Sequence, residues 1–479
     1  MRKGWIVLLT AVLVVAFAAP AMADLKVTGF YRAKAMLSNF FDGSGGPSLR
    51  TDAEEQSNSY VEQRARIKFD VGTEVARAVF HFESDMNWGV GSGDVARNSG
   101  GALSADSVQL ETKNVYVWFK IPDTSISATV GMQPFDDHYA GAFSNAADMA
   151  AIFVKGQFEP VKFTVGWGKL YETNGGGGSG GYDAADDVAL YVAAVDFTPA
   201  KDMQLGVNFY YVQDDSGRSG AGSKLAPQAG LGGAPLNTYT VDVYMPGVNF
   251  AMNAGPVKLS AFAFYQFGTA KSTDADPDID ISAYMLDVRG DMKLGQGNLF
   301  VEGFFISGGD GGGNDYKSPI TLGDYQVTGG GTGGNSGFGR TNMYFLFGAD
   351  SLNVSQCLIG CSGGELGDSL GNSGRGLWHL AAGYSQKLGE KWRFAGNIGT
   401  IYAVKLYPED SDTTVLRSAR DKDIGSEVNL RVDYQISKGL DVSLVGAYML
   451  LGDFVQNDAG TDEFNDAYYM GYARIGYSF

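Results

Sequence analysis

A set of basic side chains sits on segments where charged and apolar residues alternate. In 61–71, Glu62, Arg64, Arg66, Lys68 and Asp70 share one parity, and Val61, Ala65, Ile67, Phe69 and Val71 share the other. In 75–87, Arg77, His81, Glu83 and Asp85 oppose Ala76, Ala78, Phe80 and Phe82. In 427–436, Glu427, Asn429, Arg431, Asp433 and Gln435 oppose Val428, Leu430, Val432, Tyr434 and Ile436. A period of two places alternate residues on opposite faces of a strand. If neighbouring strands follow in chain order and the last closes on the first, Arg32, Lys34, Arg64, Arg66, Lys68, Arg77, Arg393, Arg431 and Arg474 gather as one basic arc. Two chemistries suit such an arc. It can attract anionic solutes at close range within a low-dielectric frame. Alternatively, its charges pair with the interspersed Glu62, Asp70, Glu83 and Asp85 and line water.

The segment PFDDHYAGAFSNAAD (134–148) carries Asp136, Asp137, His138 and Asp148. Folded inward against a basic wall, it would set a transverse field and narrow the passage. Left outside, it is an ordinary external loop. Cys357 and Cys361, in CLIGC, are expected to form one small disulfide in an oxidising compartment. The spacing and the following Ser362 exclude haem attachment. Residues 274–280 have D-x-D-x-D spacing, but an EF-hand needs Gly at the sixth position and Glu at the twelfth, where Ile279 and Met285 stand. The Gly-rich stretches 174–181 and 308–313 follow no nucleotide-binding strand–helix unit. His81, His138 and His379 are scattered, so no nucleophile–base pair emerges. The sequence nominates no catalytic, cofactor or metal residue.

The elements that position these groups are legible. Arg2 and Lys3, an apolar core over 4–18 and Ala21-Met22-Ala23 read as a secretory signal, residues 1–23, with the mature chain from Asp24. No other stretch approaches the ~20 apolar residues of a spanning helix. The chain has 68 Gly, 13% aromatics and a mean hydropathy of −0.10. Without Arg2 and Lys3 it sets 34 basic against 54 acidic residues, a charge of −20, which excludes nucleic-acid binding by phosphate neutralisation. Many acids fall in loops, where they suit solubility or divalent-ion contacts with lipopolysaccharide.

Short polar turns alternate with long Gly-, Ser-, Asn- and Asp-rich loops. Eight turns and nine loops join 18 strands, and both ends fall on the short-turn side. This is the layout of an all-β transmembrane antiparallel β-barrel with short periplasmic turns and long extracellular loops. The expectation is one barrel over 24–479. Within the long loop 309–376, TNMYFLFGAD (341–350) has a strand-like composition; as a wall strand with a partner it would raise the count to 20. The last segment, AYYMGYARIGYSF, alternates and ends on Tyr477 and Phe479, resembling the signal that the barrel assembly machinery reads.

Residues 424–453, IGSEVNLRVDYQISKGLDVSLVGAYMLLGD, resemble the penultimate hairpin of alginate-export-type outer-membrane porins, with a G-x-E-x-(D/N) start and a Gly-Asp end. Asn429 stands where Asp is frequent. The resemblance implies an 18-stranded monomeric channel with an Arg-rich lumen in the cell outer membrane, and it does not carry alginate over as the solute. The chain is also similar to general porins of anaerobic, metal- or sulfate-reducing bacteria. Those include homotrimers, and some related barrels sheath multihaem cytochromes. The expected function is a passive diffusion channel for small hydrophilic solutes, anions among them, in contact with outer-membrane lipid and lipopolysaccharide. A structural barrel enclosing a partner protein is the alternative, and an outer-membrane enzyme a minor one.

Overall fold

The computed structural model describes residues 24–40, 58–90, 100–104, 108–144, 147–172, 187–218, 239–273, 277–309, 314–326, 339–350, 357–359, 370–372, 374–406, 421–455 and 467–479. The wall begins with β1 (Asp24–Ser38), β2 (Asn58–Gly72), β3 (Ala76–Asn87), β4 (Glu111–Lys120), β5 (Ile126–Phe135), β6 (Ala147–Phe158), β7 (Val161–Tyr171), β8 (Val188–Ala200) and β9 (Met203–Asp214). It continues through β10 (Tyr239–Ala254), β11 (Val257–Ser272), β12 (Ile279–Leu294) and β13 (Gly297–Ile306). After the two-residue β14 (Asp315–Tyr316) come β15 (Leu377–Leu388), β16 (Trp392–Ala403), β17 (Asp423–Ser437), β18 (Leu440–Leu451) and β19 (Ala467–Ser478).

Every wall strand pairs antiparallel with its chain neighbours, β13 passes over β14 to β15, and β19 closes on β1. The result is the closed 18-strand barrel anticipated from the alternating connections. Closure leaves no unpaired edge, which is what permits strands in hydrocarbon. The strands run 10 to 16 residues, long enough for the ~9–11 residues a tilted transmembrane strand needs.

One face of each strand points outward and carries exposed apolar side chains, including Val207 at 64%, Ile398, Leu430 and Leu444. Leaving such groups in water would cost on the order of 1.5–3 kcal/mol each, so this exterior demands lipid. The inward face changes along the barrel. At the short-turn end both parities are open, as in the terminal runs of β1, β10, β12 and β17. At the long-loop end the inward positions are buried under an inner layer built from 136–144, 318–326, 339–350 and 357–359.

The segment 341–350 is therefore no wall strand. Gly339–Thr341 forms a 3-10 turn and Tyr344–Phe347 a helical turn, with Tyr344, Phe345, Leu346 and Phe347 buried inside the barrel. Left-handed backbone at Asn342 (φ 54°), Gly348 (φ 66°) and Asp350 (φ 58°) breaks any extended run. Its apolar composition reflects enclosure on all sides rather than a lipid-facing pleat.

Candidate functional site

The basic arc forms on β16, β17, β19, β1, β2 and β3, which are consecutive around the closure except for β18. Lys34 lies between Arg474 and Glu62 in the strand registers. Its Nζ donates to Glu62 at 2.6 Å. Arg64 grips Asp85 with two bonds, Nε at 2.7 Å and Nη2 at 2.6 Å. Arg66 pairs with Glu83, and Arg77 with Asp70 at 2.6 Å. Arg431 binds Asp433 at 2.7 Å, and Arg474 reaches Asp441 at 3.3 Å. Arg32, Lys68 and Arg393 have no carboxylate within 4 Å among the described residues. Arg32 lies over the Phe30 ring at 4.5 Å, and Arg66 is 5.4 Å from the same ring. The wall is thus a mixture: among the described residues, six of these nine cations are paired with carboxylates and three are not.

Sequence reasoning missed the groups that organise the inner layer. Segment 339–350 is a strut tied to two regions of wall. At one end Arg340 bonds Asp287 at 2.9 Å, Glu302 at 3.1 Å and the Ser260 hydroxyl at 3.0 Å, on β11 to β13. Arg289 donates to the Arg340 carbonyl at 2.8 Å and to Glu302 at 2.7 Å. In the middle, Glu427 on β17 accepts the backbone N–H groups of Tyr344, Phe345 and Leu346 at 2.7, 2.9 and 3.0 Å. A carboxylate there satisfies donors that a short helical turn leaves free.

At the other end, the Asp350 carboxylate enters the basic arc. It accepts from Arg474 Nη1 at 3.0 Å, from Arg431 Nη1 at 3.3 Å and from the Tyr472 hydroxyl at 2.7 Å. Lys34 donates to its carbonyl at 3.1 Å. Burial pushes the Asp350 carboxyl upward, but Arg474, Lys34, the Tyr472 hydrogen bond and Arg431 together hold it below the usual range. Charged residues at 340 and 350 flanking an apolar run were the one local sign of a bridging segment.

The loop 136–144 also enters the barrel, but not with the acidic lining suggested by its sequence. Asp137 turns inward on its own loop and accepts the N–H groups of Tyr139, Gly141, Phe143 and Ser144 at 2.6–2.8 Å. Burial raises its pKa to about 6 against the pull of those four donors. Asp148 is held by Lys113 at 2.5 Å and Asn114 at 2.7 Å, and Asp136 is exposed. The surface the loop meets is aromatic: Tyr139 packs on Tyr210, Phe262 and Phe264. His138 bonds the Tyr210 hydroxyl, and burial lowers its pKa.

Cys357 is disulfide-bonded, while Cys361 lies outside the described residues. Leu358 and Ile359 donate backbone bonds to Phe345 and Leu346 at 2.7 and 3.3 Å, so the cysteine-bearing segment braces the strut. Tyr477 and Phe479 face outward with rings 5.9 Å apart. Phe479 exchanges backbone bonds with Gly29 at 3.1 Å, which completes the closure.

The same architecture occurs in solved structures that include an outer-membrane protein. OccK1 (OpdK) of Pseudomonas aeruginosa superposes with a TM-score of 0.51 at 12% identity, over 95% of this chain and 98% of that one. The likeness is one of fold. OccK2 (OpdF) of the same organism gives 0.50 at 11% identity, with the same coverage of both chains. So does the structure of OpdK with vanillate. No family model matches the chain, and no curated protein matches it.

Proposed function

We propose that this chain is a passive outer-membrane diffusion channel for small hydrophilic solutes, with anions drawn to the basic arc. The observation that carries the reading is the contrast between the barrel's two faces. The exterior is apolar, and the inward face at the short-turn end is charged and open to water. Arg77 and Asp70 there are 25% and 26% exposed. The long-loop half is narrowed by the strut and by 136–144, as a selective passage requires. Arg32, Lys68 and Arg393 supply uncompensated positive charge. OpdK was solved with vanillate, a small carboxylate, and that class of solute suits these cations.

The reading includes a signal peptide over 1–23, the barrel over 24–479, and Tyr477 and Phe479 as the assembly signal. Lipid and lipopolysaccharide are the partners of the exterior. The resemblance of 424–453 to alginate-export-type porins fits the same architecture and leaves the solute open. A homotrimer is compatible with it. A barrel sheathing a multihaem cytochrome is less well supported, because the strut lies inside the space a partner would fill. His81 bonds Asn114, His138 bonds Tyr210 and His379 bonds the Thr400 carbonyl, which gives the enzyme alternative no support.

The test is planar-bilayer conductance of the purified protein, with the reversal potential in a KCl gradient. Stepwise conductance with anion preference is expected. A folded, heat-modifiable barrel without conductance would overturn the reading.

A further inference from the structure

We propose that Arg431, Arg474, Tyr472 and Lys34 form a carboxylate-binding site that the chain fills with its own Asp350, and that a solute carboxylate opens the strut by taking its place. Two observations carry this. The first is geometry. Both Asp350 oxygens are held by groups on wall strands, two guanidinium groups making three contacts and a phenol making one, at 2.7 to 3.3 Å. Guanidinium groups in that arrangement bind planar oxyanions. The receiving groups belong to β17, β19 and β1, whereas the occupant belongs to a loop, so the site persists when the loop leaves it.

The second is charge balance. Lys34, Arg431 and Arg474 are matched within the wall by Glu62, Asp433 and Asp441. Among the described residues Arg32 stands beside them with no carboxylate within 4 Å, and its electrostatic neighbours include Arg474 and Asp350. Around Asp350 these wall groups therefore carry one positive charge in excess. Asp350 cancels it, and a carboxylate monoanion cancels it equally well. A neutral solute or a cation cannot, and would leave the excess charge in a poorly hydrated place.

Asp350 is also the point at which the strut can let go. Its backbone is left-handed (φ 58°), a conformation Asp tolerates but does not prefer. Glu427 and Arg340 continue to hold the rest of 339–350, so exchange frees the Asp350 end rather than the whole segment. Ligand binding and widening of the passage are then linked, because an anion with greater affinity for the vacated site shifts the population toward the open arrangement.

The coupling to transport rests on the channel reading, while the exchange itself does not, and the test separates them. Ala349→Cys places a reporter beside Asp350; the native Cys357 is disulfide-bonded. Labelling by a membrane-impermeant maleimide is measured on the folded full-length protein in sodium acetate and in sodium chloride of equal ionic strength. Acetate should speed labelling about tenfold, comparable to losing one charge-assisted hydrogen bond. Adding Asp350→Asn should give the fast rate in both salts. Arg474→Gln should remove the acetate response.

Equal rates in all conditions overturn the proposal. Fast labelling after Asp350→Asn, with no acetate effect on the protein that carries Ala349→Cys alone, overturns the exchange. The acetate comparison is made on that single substitution, so its outcome does not depend on a charge variant folding. A barrel that labels as expected but never conducts keeps the site and sinks the channel reading. One that conducts with labelling unchanged does the reverse.

Discussion

Arg32 and Arg64 are register partners on adjacent strands and face the same lumen, yet their removal should have different consequences. Arg64 is bonded twice to Asp85, whose side chain is 0% exposed. Truncation to Ala leaves a buried carboxylate without its guanidinium, which typically costs about 3–5 kcal/mol. Arg64→Ala should unfold well before the parent in a urea titration followed by heat-modifiable migration, and an unchanged midpoint would contradict a structural role. Arg32 holds only an aromatic contact, which is worth about 0.5–1 kcal/mol, and Lys68 has no carboxylate within reach among the described residues. Arg32→Gln with Lys68→Gln should therefore keep the unfolding midpoint within about 1 kcal/mol and move the reversal potential toward cations. No movement would remove both from selectivity. The alternation of charges placed all these residues on the inner face, but it could not say which were paired. Pairing depends on register between strands, which one strand's sequence does not contain.

The wall strands could be read in the sequence because their pattern is local: each carries its own period of two and is bounded by its own turn residues. The strut could not, because what fixes it lies elsewhere in the chain. Tyr344 is anchored by Glu427, 83 residues away, and Asp350 by Lys34, 316 residues away. Asp137 misled for a related reason. A carboxylate in a polar loop reads as solvent-facing until its N–H donors, two to seven residues on, are seen to wrap it. The strut also carries a pH signature. The Asp350 carboxyl is depressed from its ordinary 3.8, so the folded state holds its proton less tightly than the unfolded one. The stability this contributes is fully present above pH of about 4 and is lost as pH falls through the depressed value. Asp433, Asp441 and Glu62 face the same cations. Asp350→Asn is the control that isolates the contribution of Asp350. Single-channel conductance of the parent should step up only as pH falls below about 4, and the variant should be high on both sides of that point. A step preserved in Asp350→Asn would assign it to the other carboxylates. Glu427→Ala removes the acceptor of three buried N–H groups at a cost of about 1–3 kcal/mol per orphaned donor. It should raise conductance at neutral pH, where the parent's strut is held.

At the scale of the whole barrel, two contributions of Phe479 can be separated, one to closure and one to recognition. Closure rests on backbone: Gly29 and Phe479 exchange N–H···O bonds at 3.1 Å. A Cβ at position 29 would lie 2.4 Å from the Arg66 carbonyl oxygen and 2.8 Å from the Phe479 ring. The carbonyl belongs to the β1–β2 ladder and cannot move without disturbing it, whereas the ring is the end of a rotatable side chain. Gly29→Val should therefore fail to give a heat-modifiable barrel when refolded in detergent, and adding Phe479→Ala should not rescue it. Rescue would mean that the ring, not the backbone, sets the limit at the seam. Phe479→Ala alone keeps both seam bonds and loses an outward aromatic that is 53% exposed. It should refold in detergent nearly as the parent does, yet accumulate poorly in the outer membrane of cells, if the terminal side chain is the assembly signal proposed above. Equal loss in detergent and in cells would place the contribution of Phe479 in stability and leave the signal to other residues of β19. Full accumulation in cells would show that the terminal ring is not read at all.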